Sequence, residues 1–241
     1  MSEATLFYNE KSILFFDRKT NQEISEAYEI NSFNTFVSNR LSNIIQSSII
    51  DKGLVIHSVI SDSTDGLLIP NDLYNPDKRE DFYMLNYSAI PSGKMICENH
   101  INALNATMIY SCKKWFYDFF NSNYPEVPIL NSSSEYLHHA LNEKGSSRDI
   151  HLMIKNETFD IIKFKNKKLF SYNSVSFSSM TDVIYFLIAH MNKLNIENPS
   201  VQVYGNQKYI KELESIKNKI ESLKNNDFFF GTNDNLIEII K

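Results

Sequence analysis

The order of predicted elements between residues 148 and 223 constrains the fold of this chain more than any other feature. Alternating apolar residues predict three successive strands joined by tight turns, at 150–155, 159–164 and 168–177. Helix 180–194, strand 201–204 and helix 207–223 follow. This βββαβα order predicts a mixed α+β fold whose sheet opens with three consecutive strands.

The first half of the chain repeats the same order weakly. Strands 6–8, 13–16 and 24–30 precede an amphipathic helix between Phe33 and Ile49, with Asn31 or Ser32 as its expected cap. Gly53 ends that helix and strand 54–60 follows. An aromatic helix at Trp115–Phe120, a strand at 127–130 and a helix at 136–141 close the half.

Residues 65–111 interrupt this repeat and are predicted to form an insertion. Its elements are a short strand at 66–69, a helical segment at 77–86 and two paired strands at 94–100 and 103–111. Insertions on a rigid scaffold often carry binding, and tyrosine is enriched in interface cores. The aromatic residues of the insertion therefore form a candidate interaction surface, or else anchor the insertion to the first lobe: Tyr74, Phe82, Tyr83 and Tyr87.

A polar segment at 143–148 divides the two repeats. Gly145 suits the end of a helix, and the strand pattern restarts directly after this segment. We therefore expect an N-terminal lobe at 1–145, with the insertion at about 65–111, and a C-terminal lobe at 146–241.

Composition narrows the classes of function. A net charge of −5 gives no general attraction to phosphate backbones, so we expect no nucleic-acid partner. Cys97 and Cys112 are too few for a disulfide framework and match no zinc spacing. The chain begins without a signal-peptide pattern and has no apolar run of about 20 residues, so we expect a cytoplasmic protein without membrane insertion.

No residue pattern predicts a catalytic, cofactor or metal site. His138 and His139 are adjacent on a helix and point about 100° apart, so they do not bind one metal together. Residues 62–66 hint at a calcium loop, but Leu73 stands where the loop needs a bidentate glutamate, so they form a polar turn. A basic hairpin contacts an anionic partner or is a solvated turn: Lys163, Lys165, Lys167 and Lys168.

Three segments carry a resemblance to a known family. They read LLIPNDLY, YPEVPILNSSSEYLHHAL and RDIHLMIKNETFDIIKFKNKKLF. With the element order, they resemble a bacterial family known only as domain of unknown function family 3822, over nearly the whole chain. This family is related to the actin-like ATPase superfamily and, more distantly, resembles pilus and secretion assembly proteins. The resemblance implies an actin-like, ribonuclease-H-like fold of two lobes with a βββαβα core in each. It implies no established activity and no catalytic residues.

The nucleotide chemistry of the superfamily can be tested on two turns. An actin-like ATPase has an Asp-x-Gly turn between the first two strands of each half, where glycine lets backbone amides approach phosphate. Residues 9–11 and 156–158 occupy these turns, and each contains a glutamate, Glu10 or Glu157, with neither Asp nor Gly. Gly205 is a strand-to-helix turn or a remnant of an adenosine contact. The sequence therefore predicts a degenerate nucleotide site without hydrolysis.

Two functional hypotheses remain. The first is a non-catalytic scaffold or interaction protein with an unknown protein partner, which includes a second copy of this chain in a homodimer. The alternative is a nucleotide or small-molecule sensor, or an enzyme, that uses the interlobe cleft with non-standard residues. The first hypothesis rests on analogy with fold relatives that organise assemblies.

Overall fold

The computed structural model describes residues 2–20, 22–30, 32–142, 148–166, 168–194, 198–224 and 226–231. Its strands are β1 (Ser2–Tyr8), β2 (Ser12–Asp17), β3 (Glu23–Glu29), β4 (Leu54–Ser61), β5 (Leu67–Pro70), β6 (Lys94–Ile101), β7 (Ala106–Lys113), β8 (Ile129–Asn131), β9 (Ile150–Ile154), β10 (Thr158–Lys165), β11 (Lys168–Ser176), β12 (Val201–Gly205) and β13 (Phe228–Phe230). Its helices are α1 (Thr35–Ser48), α2 (Arg79–Tyr87), α3 (Lys114–Asn123), α4 (Ser132–Asn142), α5 (Met180–Leu194), α6 (Gln207–Lys217) and α7 (Glu221–Lys224).

Two five-stranded sheets share one topology. The first has the order β3-β2-β1-β4-β8 and the second has the order β11-β10-β9-β12-β13. In each sheet the first three strands pair antiparallel, and the remaining two strands run parallel to the first one. The repeated order confirms the predicted α+β class with a βββ opening in each half.

The core of the second sheet follows from the alternation along β9 and β10. Ile150, Leu152 and Ile154 point to one face of the sheet, where α5 and α6 cover them. Leu187 of α5 and Leu213 of α6 are fully buried against this face. Burial of each such side chain contributes about 1.5–3 kcal/mol before entropy costs, so this face holds the two helices on the sheet.

Aromatic packing places α3 beside the end of β1. Tyr8, the last residue of β1, stacks on Phe116 with ring centroids 4.5 Å apart and meets Trp115 edge-on at 5.3 Å. Phe33 stacks on the other side of this tryptophan at 4.3 Å. The predicted aromatic face of the helix therefore packs against the strand end that leads into the first turn.

The insertion forms a separate three-stranded sheet with the order β5-β7-β6. All its strand pairs are antiparallel, which confirms the expected pairing of the two long strands. α2 packs on this sheet through Tyr83, which is buried with Ile69, Ile96 and Ile109.

Several boundaries differ from the predictions, and one strand was not predicted. The cap of α1 is Asn34, whose side chain accepts the N–H of Val37, because Phe33 packs on α3 before the helix begins. Helix 207–223 ends at Lys217 and resumes as α7, because the apolar spacing marks which residues face the core and not whether the backbone is continuous. β13 was missed because a run of three residues carries too little pattern.

Backbone contacts divide the chain into two compact units. The division falls inside α4, between Glu135 and Tyr136. The boundary expected from the sequence, 145/146, and the cap at Gly145 lie outside the described residues. The lobe limits 1–145 and 146–241 therefore stay a prediction.

Candidate functional site

In the turn between β1 and β2, a side chain of the turn accepts backbone N–H groups. The Asn9 side-chain oxygen accepts the backbone N–H of Lys11 at 3.1 Å and that of Ser12 at 2.8 Å. The Ser12 hydroxyl donates to the same oxygen at 3.1 Å. The resemblance to actin-like ATPases implies that amides of this turn would donate to phosphate; here the Asn9 side chain accepts two of them.

Glu10 places a negative charge at the tip of the same turn. Its backbone φ is 68°, the left-handed conformation that glycine adopts at least cost. The Glu10 carboxylate pairs with the Lys94 ammonium of β6, and this lysine side chain is 9% exposed. The charge of Lys94 beside this turn is therefore already neutralised by Glu10.

The hydroxyl of Tyr8 completes the closure of this turn, since it donates to the backbone oxygen of Glu10 at 3.1 Å. Burial is the main cause that raises the pKa of Tyr8, with the nearby charge of Glu10 second. The tyrosine therefore stays protonated at neutral pH and acts as a donor that supports the turn.

The turn between β9 and β10 has a buried ion pair beside it. The backbone N–H of Lys155 donates to the Thr158 oxygen at 2.8 Å, which closes the turn. The Lys155 ammonium lies 3.1 Å from an Asp160 carboxylate oxygen, and the two side chains are 2% and 0% exposed. Glu157 at the tip is exposed. The second turn, like the first, presents an acidic tip and a lysine that already has an acidic partner.

Gly205 lies in a turn where its backbone packs closely against Ile154. An added Cβ there would lie 2.8 Å from the Ile154 carbonyl oxygen, and φ is 156°. Asn206 follows and caps α6 by accepting the N–H of Lys208 at 2.9 Å. Close approach of β12 to β9 and the start of the helix account for this glycine without a nucleotide.

Asp65 of the polar turn 62–66 forms hydrogen bonds inside the insertion. Asp65 accepts the Ser111 N–H at 3.0 Å and its hydroxyl at 2.5 Å, and it also accepts the hydroxyl of Tyr83. Asp65 is 8% exposed. All these partners are groups of the insertion, so this carboxylate serves packing, as the interpretation of a polar turn expects.

Sequence reasoning missed a polar network beside this turn. The side-chain oxygen of Asn131 caps α4 by accepting the N–H of Ser133 at 2.8 Å. The side-chain oxygen of Asn99 accepts the Asn131 N–H at 2.7 Å and the Ser134 hydroxyl at 3.1 Å. The only sequence signal was the run of serines after Asn131, since the Asn99 contacts span more than 30 residues.

The four aromatic residues predicted as an interaction surface pack mainly within the insertion. Tyr83 is 1% exposed, while Tyr74, Phe82 and Tyr87 are half-buried against the same cluster. The Tyr87 hydroxyl also bonds the backbone of Gly66. These rings therefore build the core of the insertion itself. Anchoring of the insertion to the first lobe and use of the rings as a binding surface both stay predictions.

The basic hairpin is less uniform than its sequence implies. Lys165 and Lys168 are exposed, whereas Lys163 is 4% exposed and burial lowers its pKa. The ammonium groups of Lys163 and Lys165 lie 5.6 and 5.9 Å from the ring centre of Phe170, which is 54% exposed. Lys167 lies outside the described residues. Grouping Lys163 with the exposed lysines was therefore wrong, because β10 is buried on both faces.

The described part of the chain contains no cluster of metal-binding side chains. No three His, Cys, Asp or Glu side chains there come together in a way that would hold a metal ion. His139 instead contacts the hydroxyl of Tyr204 at 3.3 Å.

Solved structures place these features in a known fold. A Bacteroides thetaiotaomicron protein with an actin-like ATPase fold and unknown function is similar over 99% of this chain and 95% of its own, with a TM-score of 0.76 and 17% identity. The PilM–PilN type IV pilus biogenesis complex gives a TM-score of 0.55 at 9% identity over 100% and 90% of the two chains. A propionate kinase from Francisella tularensis gives 0.52 at 10% identity over 99% and 98%.

The two repeated sheets and these likenesses define an actin-like ATPase fold. Within that class, the chain belongs to the family described as protein of unknown function (DUF3822), whose model matches residues 12–225. No curated protein matches the chain by sequence. Family and fold therefore agree with the resemblance read from the sequence, and they bring no specific activity.

Proposed function

We propose that this protein is a non-catalytic interaction protein, which uses an actin-like fold as a scaffold for a protein partner. The first turn carries the proposal. Its amides already bond the side chain of Asn9, and its tip presents the carboxylate of Glu10. Phosphoryl transfer depends on backbone donors, a bound metal and charge neutralisation at such turns, so the turn opposes nucleotide chemistry.

A fold neighbour supports a protein partner. The PilM structure is that of a complex with PilN, so a protein of this fold is known in association with another protein. The net charge of −5 disfavours nucleic acid as the partner. We infer a cytoplasmic protein, and a second copy of the chain is one candidate partner. No helix in the described segments is long and apolar enough to cross a membrane.

Capture of the partner tests the proposal. The full chain, tagged in its native host and cross-linked in the cell, is expected to retain a defined protein in constant ratio through purification. A matched variant with Lys114→Glu, an exposed position on α3, should retain the same protein. Recovery of the chain alone, in monomeric form, would contradict the proposal.

Nucleotide addition separates this function from the competing hypothesis of a sensor or enzyme. A ligand at 100 times its dissociation constant stabilises a protein by about 2.7 kcal/mol, which is readily seen as a thermal shift. We expect no shift with ATP or ADP plus Mg²⁺. A shift that depends on Mg²⁺ would favour the sensor or enzyme.

A further inference from the structure

A pocket of about 310 Å³ opens in the first unit, where the insertion meets α3 and the segment that leads into β8. Four consecutive residues of β6, 95–98, form one wall, and the opposite side includes Ile129. Arg79 of α2 and Asn121 of α3 supply polar groups. We call this feature the β6 pocket. None of the functional features described above uses it.

The wall formed by β6 is the unpaired edge of a sheet. β6 is the outer strand of the order β5-β7-β6, and antiparallel strands point alternate residues toward and away from their neighbour. On β7, the N–H of Ser111 is directed to Asp65 at 3.0 Å, on the β5 side. Ser111 faces Ile96 in the register, so this pair is not hydrogen-bonded across the two strands.

The same alternation orients the backbone along the pocket. Ile96 and Glu98 direct their N–H and C=O groups away from β7, while Met95 and Cys97 bond to β7. The Glu98 carbonyl accepts the side-chain amide of Asn99 at 2.9 Å. No strand of the described chain pairs with the remaining outward groups, the N–H and C=O of Ile96 and the N–H of Glu98.

Two side chains connect β6 and β7 to the outer strand β8. The carbonyl of Ile129 accepts the Asn99 amide at 3.1 Å and the Tyr110 hydroxyl at 3.4 Å. Asn99 therefore bridges the edges of the two sheets. The pocket lies along the preceding residues of β6, 95–98.

The lining of the pocket offers more polar than apolar surface, and it contains one cation and one carboxylate, Arg79 and Glu98. Its apolar side chain Ile96 is almost fully buried, and Ile129 is half-buried. The Arg79 side chain is 39% exposed and approaches the Glu98 carboxylate through one nitrogen at 3.9 Å. A guanidinium has five N–H donors, so other donors of Arg79 remain for a second carboxylate.

We propose that the β6 pocket binds an extended segment of a protein partner, which adds as a strand to the edge of β6. One side chain of the segment enters the pocket, and a neighbouring carboxylate pairs with Arg79. Main-chain bonds to an open edge and alternate side-chain pockets are the basis of recognition by strand addition. The volume lies at the lower end of the roughly 300–1,000 Å³ of ligand pockets, so only a short part of the segment enters. This inference rests on the proposed interaction function.

Random peptides displayed on phage and selected on the full chain test the chemistry. Selection is expected to enrich Asp or Glu at one position of an extended motif. A synthesised peptide of that sequence should bind Arg79→Glu about tenfold more weakly, because the variant opposes the carboxylate. Lys78→Glu makes the same charge change at the adjacent exposed position outside the pocket, and it should bind within about twofold of the natural chain.

Amide hydrogen exchange of the unmodified chain tests the geometry. The peptide should slow exchange at Ile96 and Glu98 and leave Met95 and Cys97 unchanged, since the latter amides already bond β7. Selection without an acidic position, equal weakening by both charge variants, or exchange that is unchanged at Ile96 and Glu98 would each overturn the proposal. If Arg79→Glu does not fold, Arg79→Met keeps the aliphatic stem and replaces it.

Failure here is distinct from failure of the proposed function. A partner that is captured in cells equally well by the natural chain and by Arg79→Glu would keep the interaction function and overturn the β6 pocket as its site. Loss of capture by Arg79→Glu but not by Lys78→Glu would support both.

Discussion

Glu10 and Asn9 illustrate what single residues reveal about this chain. The sequence predicts that the first turn lacks Asp and Gly, and from this it predicts a degenerate nucleotide site. It does not predict that the Asn9 side chain occupies the turn's amides, because that depends on the conformation of the turn. The partner of Glu10 was also beyond prediction, since Lys94 is 84 positions away along the chain.

Gly205 tests whether close backbone packing explains this glycine. Gly205→Ala combines a strained φ with a Cβ 2.8 Å from the Ile154 oxygen, and is expected to cost about 3 kcal/mol of unfolding free energy. Gly93→Ala is the control, because φ is 73° and no atom lies within 4 Å of its Cβ, so it should cost about 1 kcal/mol. Urea denaturation measures both, and equal losses would contradict the packing argument.

The buried pair of the second turn is expected to be structural. Lys155→Met leaves Asp160 charged and buried, which should cost about 3–5 kcal/mol of unfolding free energy. Adding Asp160→Leu removes the uncompensated charge, so the double variant should be more stable than Lys155→Met.

The surface pair of α3 provides the control for this cycle. Lys114 and Asp118 are 64% and 52% exposed, so Asp118→Ala should cost only about 0.3–0.5 kcal/mol. Urea denaturation measures each variant. A cost for Lys155→Met as small as that for Asp118→Ala would contradict a structural role of the buried pair.

At the scale of elements, the apolar periodicity predicted which helices and strands exist better than it predicted where they begin and end. The three strands of each half and the amphipathic helices were predicted because their apolar residues face one core. The break after Lys217 escaped prediction because Ile216 before the turn and Ile220 and Leu223 after it pack on the same core. β13 and the burial of Lys163 were missed because they depend on neighbouring strands in the sheet.

The start of α5 should respond to pH. Asp182 accepts the N–H groups of Ser178 and Ser179 at 2.9 Å each, and these bonds lower its pKa from the ordinary value of 3.8. A lowered pKa means that the contribution to stability is present above 3.8 and is lost as the pH falls through the folded-state pKa.

Asp182→Asn is therefore expected to destabilise the protein at neutral pH and to lose this disadvantage in acid. Urea midpoints of both proteins, measured from neutral pH to below 3.8, give the difference. A difference between the two proteins that is constant over this range would contradict the role assigned to the ionised carboxylate.

At the scale of the whole molecule, the element order together with the family resemblance predicted the actin-like class. Each half opens with three strands, and this order persists without shared residue identity because it reflects which elements pack on one sheet. The β6 pocket was beyond prediction. It depends on the edges of two different sheets meeting, which no local pattern in the sequence encodes.

Phosphate release from ATP by the purified chain, in the presence of Mg²⁺, tests the central claim most directly. The account predicts the rate of buffer alone, because both turns have acidic tips and Lys94 and Lys155 beside them already have acidic partners. Turnover clearly above that rate, abolished by changing Glu10 or Glu157, would contradict it.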